Sequence, residues 1–125
     1  MPTVAIVGAS TSVDRPSHAA VIKFLARGYT VWPVTPAASI IHGLTTVPSL
    51  HELPGHCDII CMYVNPVRGL AMLDDIVACA PQVLWLNPGA DGEPLASAAR
   101  ARGLTVVEAC SLVALSYGDP LQQVR

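Results

Sequence analysis

Residues 3–24 read TVAIVGASTSVDRPSHAAVIKF, and this pattern predicts a strand, a turn and a helix. The apolar run Val4–Val7 stops at Gly8, and small and polar residues follow it. Apolar residues then recur at helical spacing, with Ser17 as the expected cap of the helix and Gly28 at its end. A helix N-terminus presents free N–H groups, so a glycine turn that leads into a helix predicts a phosphate-binding site.

The rest of the chain continues this alternation of short strands and helices. The predicted strands cover residues 4–7, 29–34, 58–64, 83–86 and 104–107. Helices are predicted from Asn65, the cap, to about Cys79, from Glu93 to Arg102, and briefly within 109–118. Residues 37–56 are expected to be irregular, with a short helical turn at 49–53. This order predicts one α/β domain over residues 1–125: a doubly wound, five-stranded parallel sheet of Rossmann-like type, with helices on both faces.

Composition and charge exclude several classes of function. The 125 residues are 52% hydrophobic and 13% charged, which favours a sheet covered on both faces. A net charge of −2 and a pI near 6.0, without a basic stripe, argue against nucleic-acid binding. No apolar run approaches the roughly 20 residues that span a bilayer. The N-terminus lacks the basic region of a signal peptide, so we expect a cytoplasmic protein with no membrane partner.

The four cysteines and four histidines show no metal-ligand spacing, and no metal site is predicted. Cys57 and Cys61 fall at the two ends of one predicted strand, which would hold them roughly 13 Å apart. We therefore expect free thiols, as in a reducing compartment.

Ligands of doubly wound sheets bind at the carboxyl ends of the strands. In this chain that rule selects five segments, which are 8–15, 33–36, 63–66, 87–89 and 108–110. In the first of them, Gly8 permits close approach of the backbone, Ser10 adds a hydroxyl donor, and Arg15 adds a cation just before the helix.

A nicotinamide cofactor is the first alternative, and the sequence argues against it. The dinucleotide fingerprint has three glycines, and this turn has Ser10 and Val13 where the second and third would stand. NAD enzymes also carry an acidic residue near the end of the second strand. Here that strand ends in Val34, Thr35 and Pro36, so an NAD(P)-binding oxidoreductase is the less favoured interpretation.

The chain resembles the small stand-alone CoA-binding proteins, whose domain is similar to that of the succinyl-CoA synthetase alpha subunit. The resemblance covers about residues 3–117 and rests on the order and spacing of several segments. These segments are VAIVGAS, DRPSHAAVIKFLARGY, VWPVTP, PSLHELP, VLWLNPG and the Glu-Ala-Cys at 108–110.

The resemblance implies that the protein binds coenzyme A or an acyl-CoA and is not catalytic alone. The resemblance implies three groups of ligand-contacting residues along the sheet edge. The phosphates would contact Gly8, Ala9, Ser10, Arg15 and Ser17, and the adenosine would contact Val34, Thr35 and Pro36. The middle of the ligand would contact Tyr63, Val64 and Asn65, and the pantetheine arm would lie near Asn87 and Gly89. The family often has Phe-Arg-Pro where this chain has Tyr63-Val64-Asn65-Pro66, and residues 37–42 lack a basic residue for the 3′-phosphate. Both departures predict weaker binding.

Two further hypotheses concern chemistry and partners. Cys110 follows the fifth predicted strand at the ligand end of the sheet, and a helix start there would lower the pKa of its thiol. We hypothesise that Cys110 faces the CoA thiol and that an oxidant would join the two thiols in a mixed disulfide. The high apolar fraction is compatible with a homo-oligomer, or with an interaction subunit that lends its CoA site to a ligase or transferase.

Overall fold

The computed structural model describes residues 2–124, which form a sheet between two layers of helices. The strands are β1 (Thr3–Val7), β2 (Thr30–Val34), β3 (Ile40–Ile41), β4 (Leu44–Thr45), β5 (Ile59–Met62), β6 (Val83–Leu86) and β7 (Val106–Glu108). The helices are α1 (Pro16–Ala26), α2 (Pro66–Ala71), α3 (Leu73–Ala78), α4 (Leu95–Ala101), α5 (Ser111–Tyr117) and α6 (Pro120–Gln123), with a 3₁₀ turn at Leu50–Glu52.

The main sheet has five strands in the order β2-β1-β5-β6-β7, and every neighbouring pair is parallel. The predicted fold class is therefore confirmed. The chain leaves β1 towards β2 and later returns to β5 on the other side of β1. The strand order thus reverses between β1 and β5, and this switch point is where doubly wound sheets bind their ligands.

Two apolar cores, one on each face, hold the sheet between its helices. Alternate residues of a strand point to opposite faces, so Ala5 and Val7 lie in one core and Val4 and Ile6 in the other. The first core also contains residues of α3 and α4, and the second contains residues of α1, α5 and α6. β1 lies at the centre of the sheet, and its residues 4–7 are at most 1% exposed.

Helix α1 begins earlier than the sequence predicted, and Ser17 is not its cap. Arg15 is the N-cap, with an extended backbone, and Pro16 is the first helical residue. Proline favours this position because its fixed φ suits the helix and its missing N–H is not needed there. The residue before a proline favours an extended backbone, which places the boundary at Arg15. Ser17 is buried in the first turn.

The predicted helix from Asn65 to Cys79 is two helices, α2 and α3, which meet at Met72. The cap prediction is confirmed, because the Asn65 side chain accepts a hydrogen bond from the Arg68 N–H. At the break, the Met72 N–H donates to the carbonyl of Gly69, three residues earlier, which is the tighter 3₁₀ pattern. A Cβ on Gly69 would lie 2.6 Å from Leu95 Cδ2, so α2 packs closely on α4 at this point.

The region expected to be irregular contains one hairpin that the sequence did not predict. The strands β3 and β4 pair antiparallel through a turn in which His42 and Gly43 have φ values of 50° and 76°. Positive φ at both central residues is the backbone of a type I′ hairpin turn. The short helical turn expected at 49–53 is confirmed by the 3₁₀ turn, whereas α6 was not predicted.

The helices are short, and α1 is 11 residues long. Among residues 2–124, no helix has the length and apolar character needed to cross a bilayer.

Candidate functional site

A cavity of about 280 Å³ opens where the strand order reverses, and we call it the switch-point cavity. It is bordered by the segments that follow β1, β2 and β5. Eight of the fourteen predicted site residues line it: Gly8, Ala9, Ser10, Arg15, Val34, Thr35, Pro36 and Val64. Five residues that were not predicted complete the wall: Val7, Ala37, Pro48, Arg68 and Met72. A cavity therefore opens at the sheet edge where the fold rule places ligands.

Two arginines from different elements, Arg15 before α1 and Arg68 in α2, contribute to this wall. Neither guanidinium forms an ion pair or a hydrogen bond with a described residue, although the charge of Arg15 acts on neighbouring Asp14. Other arginines of residues 2–124 are engaged elsewhere: Arg27 with the Leu115 carbonyl, Arg100 with Glu108 and Arg102 with Asp74. The cavity thus has two available cations for an anionic ligand.

Arg68 was not among the predicted site residues. The resemblance places an arginine in the loop after the third predicted strand, whereas Arg68 is the third residue of the following helix. The Asn65 side chain accepts the Arg68 N–H at 2.9 Å and so fixes the first turn of α2. A basic residue in the first turn after an Asn-Pro cap, on a helix that starts at the ligand edge, was the signal available in the sequence.

The turn after β1 brings backbone and hydroxyl groups to the same cavity. Gly8 has a φ of 86°, and its N–H donates to the Val34 carbonyl at 3.0 Å, which ties the turn to β2. The Ser10 hydroxyl accepts the Ser12 N–H at 3.0 Å, so its own hydrogen stays available to a ligand. The carboxylate of Asp14 accepts the Ser12 hydroxyl, and this bond lowers the pKa of Asp14. Asp14 is not part of the cavity wall.

The end of β2 carries no charged group for a ribose. Thr35 is 7% exposed, and its hydroxyl oxygen accepts the Ala37 N–H at 3.1 Å. Val34 and Pro36 supply the neighbouring apolar wall.

Tyr63 and Asn87 lie on the other face of the sheet, in a buried polar network with Cys61 and Ser111. Asn87 is 1% exposed; its amide donates to Cys61 Sγ at 3.2 Å and to the Met62 carbonyl at 3.0 Å. Its Oδ1 accepts the Ser111 N–H at 2.8 Å. The Tyr63 hydroxyl is 2.9 Å from Ser111 Oγ. The hydrogen bonds of the Asn87 amide therefore join the ends of β5 and β6 to the start of α5.

Burial raises the pKa values of the acidic groups of this network further above neutral pH. It raises the pKa of the Cys61 thiol to about 11, and the thiol donates to Ser111 Oγ. Burial likewise raises the pKa of the Tyr63 hydroxyl above its ordinary value. The thiol of Cys57, 1% exposed, has its pKa raised by burial to about 12. These groups are therefore hydrogen-bonding and packing groups at neutral pH.

Replacing Asn87 with alanine is expected to lower the free energy of unfolding by about 2–4 kcal/mol, because the buried Ser111 N–H and Met62 carbonyl lose a partner. Denaturant unfolding measures this change. Asn65→Ala is a suitable comparison, since an exposed cap costs only about 0.5–2 kcal/mol. Equal stability of Asn87→Ala and the wild type would show that the network does not support the sheet edge.

The remaining predicted residues do not meet at the switch-point cavity. Ser17 is buried in the first turn of α1, Gly89 is exposed in the turn after β6, and Asn65 acts as the α2 cap. Cys110, the residue before α5, lines a separate apolar cavity of about 440 Å³ together with Trp85, Val107, Ala109, Val113, Ala114, Tyr117, Gln123 and Val124. All four cysteines are free, as expected. The mixed disulfide between Cys110 and a CoA thiol remains a prediction.

Comparison with known proteins connects this geometry to one family. Residues 2–116 match the CoA binding domain family. The chain is 28% identical over 104 residues to the uncharacterized protein YneT of Bacillus subtilis, a match that covers 83% of this chain and 77% of YneT.

Solved structures share the fold. A conserved hypothetical protein from Pyrococcus furiosus matches with 28% identity and a TM-score of 0.80, over 91% of this chain and 99% of that one. A Thermus thermophilus protein matches with 27% identity and a TM-score of 0.82, over 99% and 90%.

A larger enzyme contains the same fold. The dinucleotide forming acetyl-coenzyme A synthetase 1 of Ca. Korarchaeum cryptofilum is 23% identical, with a TM-score of 0.71, over 84% of this chain and 25% of that one. At this identity the likeness concerns the fold alone. The family match, in contrast, spans nearly the whole chain, and this protein therefore belongs to the CoA binding domain family.

Proposed function

We propose that the protein binds coenzyme A or an acyl-CoA at the carboxyl edge of its sheet, with the phosphates in the switch-point cavity. One observation carries this proposal. In a chain of the CoA binding domain family, two arginines without ion-pair partners in residues 2–124 border the cavity that the glycine turn opens. Cations and close backbone N–H donors together stabilise a bound diphosphate.

The proposed pose follows from the groups along the sheet edge. N–H groups at Ala9 and Ser10 and the Ser10 hydroxyl donate to one phosphate, and Arg15 and Arg68 pair with the charge from two sides. The segment 34–36 borders the adenosine. The pantetheine arm then passes the 63–65 segment towards Gly89, with Asn87 holding the strand ends rather than touching the ligand.

A binding role fits the chemistry of these residues better than catalysis. The buried thiols of Cys57 and Cys61 have raised pKa values, and a thiol is a weak nucleophile until it ionises. The Tyr63 hydroxyl, whose pKa is also raised, contacts Ser111 in the interior. The nicotinamide alternative gains no support from the end of β2, where Thr35 bonds to the local backbone.

Calorimetric titration with CoA, dephospho-CoA, NAD and NADP tests the proposal. We expect saturable binding of CoA. Dephospho-CoA, which lacks the 3′-phosphate, is expected to bind within about threefold of CoA, because segment 37–42 has no lysine or arginine to pair with that phosphate. NAD and NADP are expected not to bind at the same concentrations. Binding of NAD or NADP without CoA would overturn the proposal and favour an oxidoreductase.

A second candidate is an interaction subunit that lends its CoA site to a ligase or transferase. The Korarchaeum synthetase favours it, because there the same fold forms about a quarter of a longer chain. The exposed Val113 and Tyr117 beside the apolar cavity are compatible with a contact surface. Because both candidates have a CoA site, co-purification separates them: an interaction subunit is expected to co-purify with a ligase or transferase, and a module that functions alone is not.

A further inference from the structure

His18 occupies an unusual place for a residue in the first turn of a helix. Its side chain is only 7% exposed, and its Nδ1 lies 2.8 Å from the carbonyl oxygen of Ser10. A carbonyl oxygen can only accept, so Nδ1 carries a hydrogen and donates. The bond joins α1 to the turn after β1 across eight residues of sequence. It is the contact through which the helix fixes the backbone of a residue that lines the switch-point cavity.

The second contact of the His18 ring comes from the hairpin. The rings of His18 and His42 meet edge to face, with centroids 6.2 Å apart and an angle of 87° between their planes. His42 stands in the hairpin turn between β3 and β4, with a φ of 50°. The chain that leaves the hairpin is held to the end of β2, because the Thr35 N–H donates to the Val47 carbonyl at 2.9 Å and the Val47 N–H donates to the Pro33 carbonyl at 3.0 Å. The imidazole of His18 is therefore oriented by groups from two segments.

We propose that His18 is a positioning residue of the phosphate-binding turn and that His42 keeps its ring oriented. The inference rests on the proposed function. With its carbonyl oxygen held by Nδ1 and its hydroxyl oxygen held by the Ser12 N–H, Ser10 has one orientation. The Ser10 carbonyl oxygen, which carries a partial negative charge, then faces the imidazole and not a bound phosphate. The Ser10 hydroxyl hydrogen and the neighbouring N–H groups are left to donate to the ligand.

Three substitutions of His18 test whether the Nδ1 donor is what the turn requires. The amide nitrogen of asparagine takes the place of Nδ1, whereas that of glutamine reaches the place of Nε2. We expect His18→Ala and His18→Gln to weaken binding of CoA and of inorganic pyrophosphate by roughly tenfold, the equivalent of one lost hydrogen bond. His18→Asn is expected to stay within about threefold of the wild type, and His42→Ala to fall in between.

A residue with only a packing role would give another pattern. His18→Asn and His18→Gln would then both lower the melting temperature, and the two variants would bind CoA with the same affinity. That result would overturn the inference. The ¹⁵N spectrum of the wild-type imidazole at pH 8 gives a readout that needs no variant to fold. Nδ1 is expected to be the protonated nitrogen of His18, and a proton on Nε2 alone would contradict the assignment.

The outcomes also separate this inference from the proposed function. A wild-type protein that binds neither CoA nor pyrophosphate refutes both. A wild-type protein that binds CoA, with His18→Ala and His18→Gln of equal affinity to it, refutes the role of His18 alone.

Discussion

The double substitution Arg15→Ala/Arg68→Ala is expected to weaken CoA binding by about 100-fold or more, which corresponds to roughly 2.8 kcal/mol. A hydrogen bond to a charged group contributes about 1.5–3 kcal/mol, so two such contacts account for the loss even after allowance for solvent. Both arginines line the switch-point cavity, Arg15 from the residue before α1 and Arg68 from α2. Neither has an ion-pair partner in residues 2–124, so removing them leaves no buried charge behind and the melting temperature is expected to stay unchanged.

The matched control removes the same charge away from the cavity. Lys23→Ala/Arg102→Ala also lowers the net charge by two, and Arg102 pairs only with the exposed Asp74. Calorimetric titration is expected to give this control the affinity of the wild type. If both double variants lose affinity equally, long-range attraction rather than contact would explain the effect. If neither loses it, the phosphates bind elsewhere.

The fold could be predicted because its pattern is local and repeated. The continuous apolar runs of β1, β5 and β6 are typical of parallel strands covered on both faces. Gly28 and Gly103 end the preceding helices with positive φ, as a glycine in that position usually does. The β3–β4 hairpin was missed because two-residue strands show no alternation, and His-Gly is a weaker signal for a type I′ turn than Asn-Gly.

The site could be predicted only in part, because sequence gives the alternation of a strand but not which face the cavity is on. At the end of β5, Val64 belongs to the core beside α3 and lines the cavity, whereas Tyr63, one residue earlier, packs in the opposite core. Asn87 likewise points away from the face that holds Leu86, towards Cys61 and Ser111. A shift of one residue exchanges the faces, and only the tertiary structure fixes the choice.

Arg68 illustrates a second limit. Its side chain enters the wall because α2 starts at the ligand edge and packs on α4, with Gly69 against Leu95. Neither the length of α2 nor this packing can be read from the residues around Arg68. The family often has an arginine in the loop before this helix, whereas in this chain the arginine is Arg68 of the helix itself.

Replacing Gly8 with alanine is expected to abolish measurable CoA binding and to lower the free energy of unfolding by about 2–4 kcal/mol. Two costs add. A φ of 86° is strained for a residue with a Cβ, and the new Cβ would lie 3.1 Å from Val64 Cγ1 and 3.2 Å from the Tyr63 carbonyl carbon. The backbone of Tyr63 belongs to the end of the strand beside β1, so it cannot give way without moving the sheet edge at the cavity.

Gly28→Ala isolates the first cost, the backbone strain. Gly28 has a φ of 89°, and a Cβ there would meet no atom within 4 Å. This variant therefore carries the backbone strain alone, about 1–2 kcal/mol, and lies at the far end of α1 from the cavity. Denaturant unfolding and calorimetric titration of both variants give the comparison. A Gly28→Ala protein with wild-type affinity, beside a Gly8→Ala protein that is folded but does not bind, assigns the loss to the close approach of the turn to β5. Equal stability and equal affinity of the two variants would mean that the Gly8 turn tolerates a side chain, and the phosphate would then have to bind without the close backbone approach that the proposed pose requires.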